Sequence, residues 1–236
     1  MKRLCIVPAH NEAESLPALL SEILREGFDA VVVDDCSSDD TAAVARAAGA
    51  RVLSLPVNLG IGGAVQTGFL FAMREGYDVV VQVDGDGQHD PAWLPAVVAP
   101  LLDGRADCVI GSRYFPGAPD TGYRTPLARR LGMRFSSGLL RLATGLHVTD
   151  TTSGLRAMNR RAFGYAARHY PTDHPEAEAL LMYHQAGFRI MEVPVRMRAR
   201  AAGQSLFTLV RAALYPLRVL VGFVGIITRR RPSEGA

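Results

Sequence analysis

The chain is poor in the residues that mark specialised protein classes. Of its 236 residues only 3 are cysteine and 1 is tryptophan, and aromatics make up 7%. Cys5, Cys36 and Cys108 are odd in number and lack metal-ligand spacing, which argues against a redox or zinc role. Cys5 and Cys108 lie within apolar runs, so the thiols read as free and buried in a reducing compartment. There is no Gly-X-Y period, and 48% hydrophobic with 21% charged residues argues against disorder. The apolar run within Met1–Pro8 is too short for a signal peptide and reads as a first strand, so the cytoplasm is the expected compartment. A strong excess of one charge is also missing. Lys+Arg 26 against Asp+Glu 23 gives +3, which does not point to nucleic acid, and no nucleic-acid partner is expected.

Several chemical signatures are absent too. No Gly-Lys-Ser/Thr supports a P-loop, and no Gly-x-Ser-x-Gly elbow supports a hydrolase triad. Gly60-Ile61-Gly62-Gly63 is not a dinucleotide fingerprint: it does not follow the first strand, and Val65 stands where the third glycine belongs. It reads instead as a tight turn opening a helix. His10 and His89 flank site motifs without paired-histidine spacing, which favours solvated or hydrogen-bonding roles.

What is present is an alternation. Apolar runs at Leu4–Val7, Val31–Val33, Arg51–Leu55, Val79–Val83 and Cys108–Ile110 read as strands. Between them, helices are expected over Ser15–Arg25, Thr41–Ala48, from the Gly60 turn through Arg74, and over Pro91–Leu102. Continuous Val/Ile strands separated by helices predict an α/β fold whose mostly parallel sheet is covered on both faces. Gly117–Arg134 reads as a loop, a helix follows through Leu142, and Ile190–Val193 is a last strand. Ligands of such sheets bind beyond the carboxyl ends of the strands. Asn11, Glu12, Asp34, Asp35, Asp84, Asp86 and Arg113 all fall there.

The strongest local signal is Asp84-Gly85-Asp86-Gly87-Gln88-His89-Asp90. Carboxylates at i and i+2 on a flat strand face opposite ways, but glycines between and after them let both approach one ion. A hard divalent cation bridging to a diphosphate suits such a pair. Asp90 is the expected cap of the helix that follows. One of Asp34 and Asp35 could accept hydrogen bonds from a base or ribose, while Ser37, Ser38 or Asp39 caps the next helix.

Pro8-Ala9-His10-Asn11-Glu12, Val33-Asp34-Asp35-Cys36-Ser37-Ser38-Asp39-Asp40-Thr41 and Asn58-Leu59-Gly60 with Gly68 resemble the opening motifs of family 2 glycosyltransferases. Asp84–Pro91, Gly111-Ser112-Arg113-Tyr114 and Asp150 with Ser153-Gly154-Leu155-Arg156 resemble its polyprenyl-phosphate (dolichol-phosphate mannosyltransferase-like) branch. The resemblance runs in order from about residue 4 to 205. It implies a GT-A fold, a Rossmann-like sheet with helices on both faces, a GDP- or UDP-sugar donor, Mg²⁺ or Mn²⁺, and inversion at the anomeric carbon. Carried over by position, it implies that Pro8, Ala9, Glu12 and Asp35, with Asp34 beside them, contact the donor's nucleoside. It likewise implies that Asp84, Asp86 and Gln88 surround the metal, that Arg113 and Arg129 face the acceptor phosphate, and that Arg200 faces the donor diphosphate. Two positions depart from the family: Cys36 replaces a usual glycine, and Leu206 stands where many members have lysine.

The charge is unevenly placed. From Arg196 onward eight arginines face one acid, Glu234, so a basic, apolar tail follows a slightly acidic body. Leu206–Thr228 is interrupted by Arg211, Pro216 and Arg218. Its longest stretch free of charge and proline, Val219–Thr228, reaches about 15 Å as a helix, against a bilayer core of about 30 Å. Arg211 and Arg218 share one helical face, with Leu214, Leu217, Val221 and Val224 available for another. Residues 206–236 are therefore expected to form amphipathic helices in the membrane interface, with Arg229-Arg230-Arg231 at anionic lipid, appended to a catalytic domain over 1–205. A helix packed on the body, an oligomer contact or a separate membrane partner are the competing readings.

The expected activity moves a sugar from a nucleotide to a polyprenyl phosphate, undecaprenyl phosphate in a bacterium, at the inner face of the cell membrane. A hydroxyl acceptor would instead need a general base, for which Asp150, Glu176 and Glu178 are candidates. A sugar-1-phosphate nucleotidyltransferase would need a basic Gly-rich loop that the N-terminus lacks. The intact set of Asp84, Asp86 and Arg113 argues against an idle subunit.

Overall fold

The alternating strands and helices close into one layered body. The computed structural model describes residues 1–119, 127–171, 176–198 and 209–228. In chain order the elements are β1 (Arg3–Ala9), α1 (Leu16–Arg25), β2 (Asp29–Asp34), α2 (Thr41–Ala47), β3 (Arg51–Ser54), α3 (Gly60–Arg74) and β4 (Val79–Gln82). A 3₁₀ turn (Pro91–Trp93) leads into α4 (Leu94–Leu102), followed by β5 (Cys108–Ser112), α5 (Leu127–Thr144), β6 (Arg156–Asn159), α6 (Arg160–His169), α7 (Ala177–Gln185), β7 (Ile190–Pro194) and α8 (Leu209–Thr228).

The strands form one seven-stranded sheet in the order β3-β2-β1-β4-β6-β5-β7. β1 to β4 run parallel and β5 runs parallel to β7, while β6 is antiparallel to both its neighbours. Chain order reverses between β1 and β4, which opens a crevice at their carboxyl ends.

Both faces are covered, as near-continuous apolar strands require. Side chains alternate along β1: Cys5, Val7 and Ala9 join Leu16, Leu20, Val97 and Val98 in one layer. Leu4 and Ile6 join Val65, Phe69, Phe163 and Tyr183 in the other. Gly68 admits the close approach of α3 to β1, because a Cβ there would lie 2.2 Å from Ile6 Cγ2. A smaller cluster, including Ile110, Leu140, Leu180, Leu181, Val219 and Phe223, seats α5, α7 and α8 together.

Four expectations are corrected. The stretch 117–134 is not a loop throughout, since α5 begins at Leu127. β6 and α6, unmarked in the sequence reading, insert an antiparallel strand into the sheet. The helix expected from Pro91 starts as a 3₁₀ turn capped by Asp90, whose side chain accepts from Ala92 N. Among the described residues the tail forms one helix through Pro216 rather than several, and none of the described helices is long and apolar enough to cross a membrane.

Of the thiols, Cys5 and Cys108 are buried and Cys36 is exposed. Burial pushes Cys5 up strongly and Cys108 to about 12, so both stay protonated.

At the opposite end of the sheet, Asp107 accepts hydrogen bonds from Arg189 N at 2.9 Å, Arg189 Nε at 3.2 Å and Asn159 Nδ2 at 2.8 Å. Desolvation pushes its pKa up, but these bonds and the Arg161 charge outweigh it, and the folded value is lowered. A lowered carboxyl pKa stabilises the fold above the unfolded value, near 4, and loses that contribution as pH falls through the folded one. Asp107→Asn is expected to cost about 2 kcal/mol at pH 7. In urea melts the gap to the unsubstituted chain should narrow as pH falls below about 4; a gap that stays constant would contradict the assignment.

Candidate active site

The crevice is floored by the ends of β1, β2 and β4. Register pairs Pro8 with Val33 and Ala9 with Asp34, so the end of β1 and the acidic end of β2 lie side by side. The chain then turns through two non-glycine residues with left-handed backbones, Asn11 (φ 57°) and Cys36 (φ 59°). Asn11 accounts for its strain by bridging: its N–H donates to Ser37 Oγ at 3.0 Å, and its Oδ1 accepts from Ser38 N at 2.8 Å. Glu12 N donates to Thr41 Oγ1 at 2.9 Å.

The two aspartates after β2 have separate duties. Asp34 accepts from Ser37 N at 3.0 Å and closes the turn. Asp35 turns to the start of α3, where Oδ1 accepts from Leu59 N at 2.7 Å and Oδ2 from Gly60 N at 2.9 Å. The motif Asn58-Leu59-Gly60 is thus a helix start capped by a carboxylate from another strand, which satisfies amides that the helix leaves unpaired. Asp35 carbonyl accepts from His10 Nδ1 at 2.9 Å, so His10 holds the turn as a hydrogen-bonding group.

The turn after β4 carries the acid pair. Its glycines act differently. Gly87 takes a left-handed backbone (φ 72°), whereas Gly85 is closely packed, since a Cβ there would meet the Pro8 carbonyl at 3.1 Å. His89, only 2% exposed, folds back so that Nδ1 accepts from Asp84 N at 3.1 Å. Asp86 Oδ1 accepts from Gln88 N at 3.0 Å, and Ser15 Oγ donates to the Gly85 carbonyl at 2.6 Å. Asp84, Asp86 and Gln88 stay half-buried along the crevice.

These residues suit a divalent ion. Asp84, Asp86 and Gln88 offer oxygen donors, and Mg²⁺ sites commonly draw on one or two protein carboxylates. Among the described residues no third acidic, histidine or cysteine ligand completes a cage with them. An ion held by these oxygens alone would take its remaining ligands from water or a bound molecule. The Asp84 carboxylate lies directly over Gly154, where a Cβ would sit 2.3 Å from Oδ2 and 2.5 Å from Oδ1.

Arg113, at the end of β5, is drawn into a fork with Asp150: Nε to Oδ2 at 2.6 Å and Nη2 to Oδ1 at 2.7 Å, with Thr152 Oγ1 2.9 Å from Nη2. The Asp150 side chain is fully buried and that of Arg113 is 8% exposed. Glu192 on β7 steadies this pair by accepting from Thr149 N, Thr149 Oγ1 and Asp150 N. Asp150 is therefore an arginine partner rather than a presented base, and Glu178 packs against Gly222 of α8, away from solvent. Arg129 falls in the first turn of α5 with its side chain outside what is described, and Arg200 lies outside the described residues.

Two arginines take roles that the sequence did not disclose. Arg156 is 2% exposed and donates to the carbonyls of Ser153, Thr151 and Glu176, which binds the loop over Asp84 to the start of α7. The motif Ser153-Gly154-Leu155-Arg156 marked this residue without giving it a partner, and its three carbonyl acceptors are what allow an arginine to be buried at the start of β6. Arg198, beyond β7, reaches back to the acid turn, whereas the sequence marked it only as one of the eight arginines from Arg196 onward.

Comparison with known proteins places the chain in a family and a fold. The family described as "Glycosyl transferase family 2" matches residues 4–165. The undecaprenyl-phosphate mannosyltransferase of Micrococcus luteus is 36% identical over 216 residues, covering 87% of each chain. The polyprenol monophosphomannose synthase of Mycolicibacterium smegmatis is 30% identical over 215 residues, covering 86% of this chain and 80% of its own. Glucosyl-3-phosphoglycerate synthase from Mycobacterium tuberculosis, solved with Mn²⁺, UDP-glucose and phosphoglyceric acid, superposes with a TM-score of 0.75 at 23% identity, over 100% of this chain and 82% of that one. The sheet and its covering helices have the GT-A architecture.

Gly154→Ala should push the Asp84 carboxylate aside while leaving both core layers untouched. Sugar transfer is expected to fall by about tenfold or more, the usual cost of disturbing the support of a metal ligand. The melting temperature without ligand should stay within about 3 °C, the shift produced by less than 1 kcal/mol in a chain of this size. Full turnover in this variant would show that the observed Asp84 orientation is not the working one.

Proposed function

The chain belongs to glycosyl transferase family 2, and on that premise we propose that it is an inverting, metal-dependent enzyme moving a sugar from a GDP- or UDP-sugar to a polyprenyl phosphate at the inner face of the cell membrane. The observation that carries the choice of acceptor is the Arg113–Asp150 fork. A hydroxyl acceptor needs a general base in contact with it. Of the three candidate carboxylates, Asp150 is engaged by Arg113 and Glu178 is buried against α8, which leaves to a hydroxyl acceptor Glu176, half-buried at the start of α7. A phosphate oxygen is already anionic and needs no base. The names of the two mannosyltransferase relatives support the same reading.

In this mechanism Pro8, Ala9, Glu12, Asp34 and Asp35 shape the nucleoside end of the crevice. Asp84, Asp86 and Gln88 hold Mg²⁺ or Mn²⁺. When bound, such an ion supplies Lewis-acid neutralisation of the departing diphosphate. Arg129 and Arg200 supply fixed positive charge that brings the donor diphosphate and acceptor phosphate together, while Arg113, its charge matched by Asp150, faces the acceptor phosphate as a hydrogen-bond donor. The acceptor oxygen then forms a bond to the anomeric carbon from the face opposite the leaving group. The bond to the diphosphate oxygen breaks with its electron pair leaving on the nucleotide, which inverts the carbon. Placement and fixed charge account for the acceleration.

The surface beside the crevice supports a membrane location. α5 exposes Arg130, Leu131, Arg134, Phe135, Arg141 and Leu142 along one stripe, and neither α5 nor α8 contains an acid. α8 buries Val219 and Phe223 against the body and exposes Leu217, Leu220, Val221, Val224 and Ile227. Arginines with exposed apolar neighbours fit an anionic lipid interface. This extends the membrane-facing surface from the tail (206–236) onto the domain over 1–205; Arg229–Arg231 lie outside the described residues.

Four experiments test the reading. Asp86→Ala is expected to abolish transfer to polyprenyl phosphate, and retained turnover would reject the metal assignment. In the unsubstituted chain, GDP or UDP with Mn²⁺ should raise the melting temperature, because a ligand of the folded state stabilises it. The same pair should slow alkylation of Cys36, the exposed thiol beside Asp35. For the surface, Leu131→Asp with Phe135→Asp is expected to reduce cosedimentation with phosphatidylglycerol vesicles by about tenfold. Unchanged cosedimentation would remove α5 from the membrane face.

A further inference from the structure

Arg198 stands just past β7, where the chain leaves the sheet. Met197 pairs antiparallel with His89, and Arg198 N donates to the Gln88 carbonyl at 2.8 Å. The Arg198 guanidinium then divides. Nη2 lies 2.7 Å from Asp90 Oδ1 and Nη1 lies 2.7 Å from Glu22 Oε2 on α1. The Asp90 side chain is 8% exposed, and the same Oδ1 accepts from Ala92 N. One short pairing of this kind has little strength alone. The fork gives it direction by tying the second half of the acid turn to a helix packed in the main core.

We infer that Arg198 is a positioning residue for the divalent cation and donor diphosphate: it clamps Gln88 and Asp90 against α1 and so sets the spacing of the Asp84–Gln88 turn. The inference rests on the proposed metal role of that turn. His89 fixes the turn at Asp84 N, Ser15 at Gly85, and Arg198 closes the far end. A lysine could not do the same, because its ammonium is a point charge without the planar fork that spans two carboxylates. Glu22 enters only through Arg198, since it sits on α1 outside the turn.

The test is calorimetric titration of Mn²⁺ into the full chain at fixed GDP or UDP, alongside melting without ligand. Arg198→Met is expected to weaken Mn²⁺ binding by about tenfold or more, the range for outer partners of metal ligands, and Arg198→Lys by about the same. Glu22→Gln should weaken it by about threefold in the unsubstituted chain and add nothing to Arg198→Met, because coupled groups are not additive. A general loss of stability would instead lower the melting temperature without moving the metal affinity of the folded fraction. Mn²⁺ affinity within twofold of the unsubstituted chain in a folded Arg198→Met overturns the inference and leaves the proposed function standing. Should that variant not fold, an unchanged affinity in Glu22→Gln overturns it equally. Failure of the unsubstituted chain to bind Mn²⁺ with either nucleotide overturns the proposed function, and the clamp with it.

Discussion

Two carboxylates two residues apart must reach one crevice, and the geometry around the turn after β4 follows from that requirement. A flat strand would send Asp84 and Asp86 to opposite faces. The chain avoids this by leaving the strand at Val83 and packing Gly85 against the Pro8 carbonyl with no side chain between them. Gly87 then reverses the backbone. Neighbours satisfy the turn's polar groups: His89 at Asp84 N, Ser15 at the Gly85 carbonyl, and Arg198 at Gln88 and Asp90. The acid pair is thus held by hydrogen bonds of the fold itself, the preorganisation that its proposed metal role calls for.

Around this turn, arginines and carboxylates are matched in the interior rather than left to solvent. Asp150 is fully buried because Arg113 forks onto it and Glu192 takes the neighbouring amides. Arg156 is buried because three carbonyls receive it. Removing one member of such a set leaves a buried charge or polar group uncompensated, which costs several kcal/mol. These pairings tie the loop over Asp84 to β5, β7 and α7, so the site shares the cooperativity of the sheet. The surface arginines of α5 have no such partners on their own helix and stand among exposed leucine and phenylalanine, a composition suited to lipid rather than to the core.

Much of the sheet was legible because the apolar strands announce themselves. Val31–Val33 and Val79–Val83 have no reading other than burial on both faces, and the glycines at 60, 68 and 85 mark turns and close approaches. β6 was not legible: it is four residues long and has an arginine among them, and only distant carbonyls make that arginine tolerable. α5 was read as a loop over its first half because Arg, Gly and Pro cluster there. Its burial rests on Met133, Ser136 and Leu140, which gain meaning only once a partner surface exists.

The sequence by itself determined the alternating α/β order, the acid turn and its place at a strand end, because these depend on periodicity and local turn chemistry. Tertiary structure alone decided that Asp35 caps α3, that Asp150 serves Arg113 rather than a substrate hydroxyl, and that Arg198 reaches the turn from more than 100 residues away. The reason is that a charged side chain's role is set by which partner meets it in a low-dielectric space, and that partner comes from a remote part of the chain.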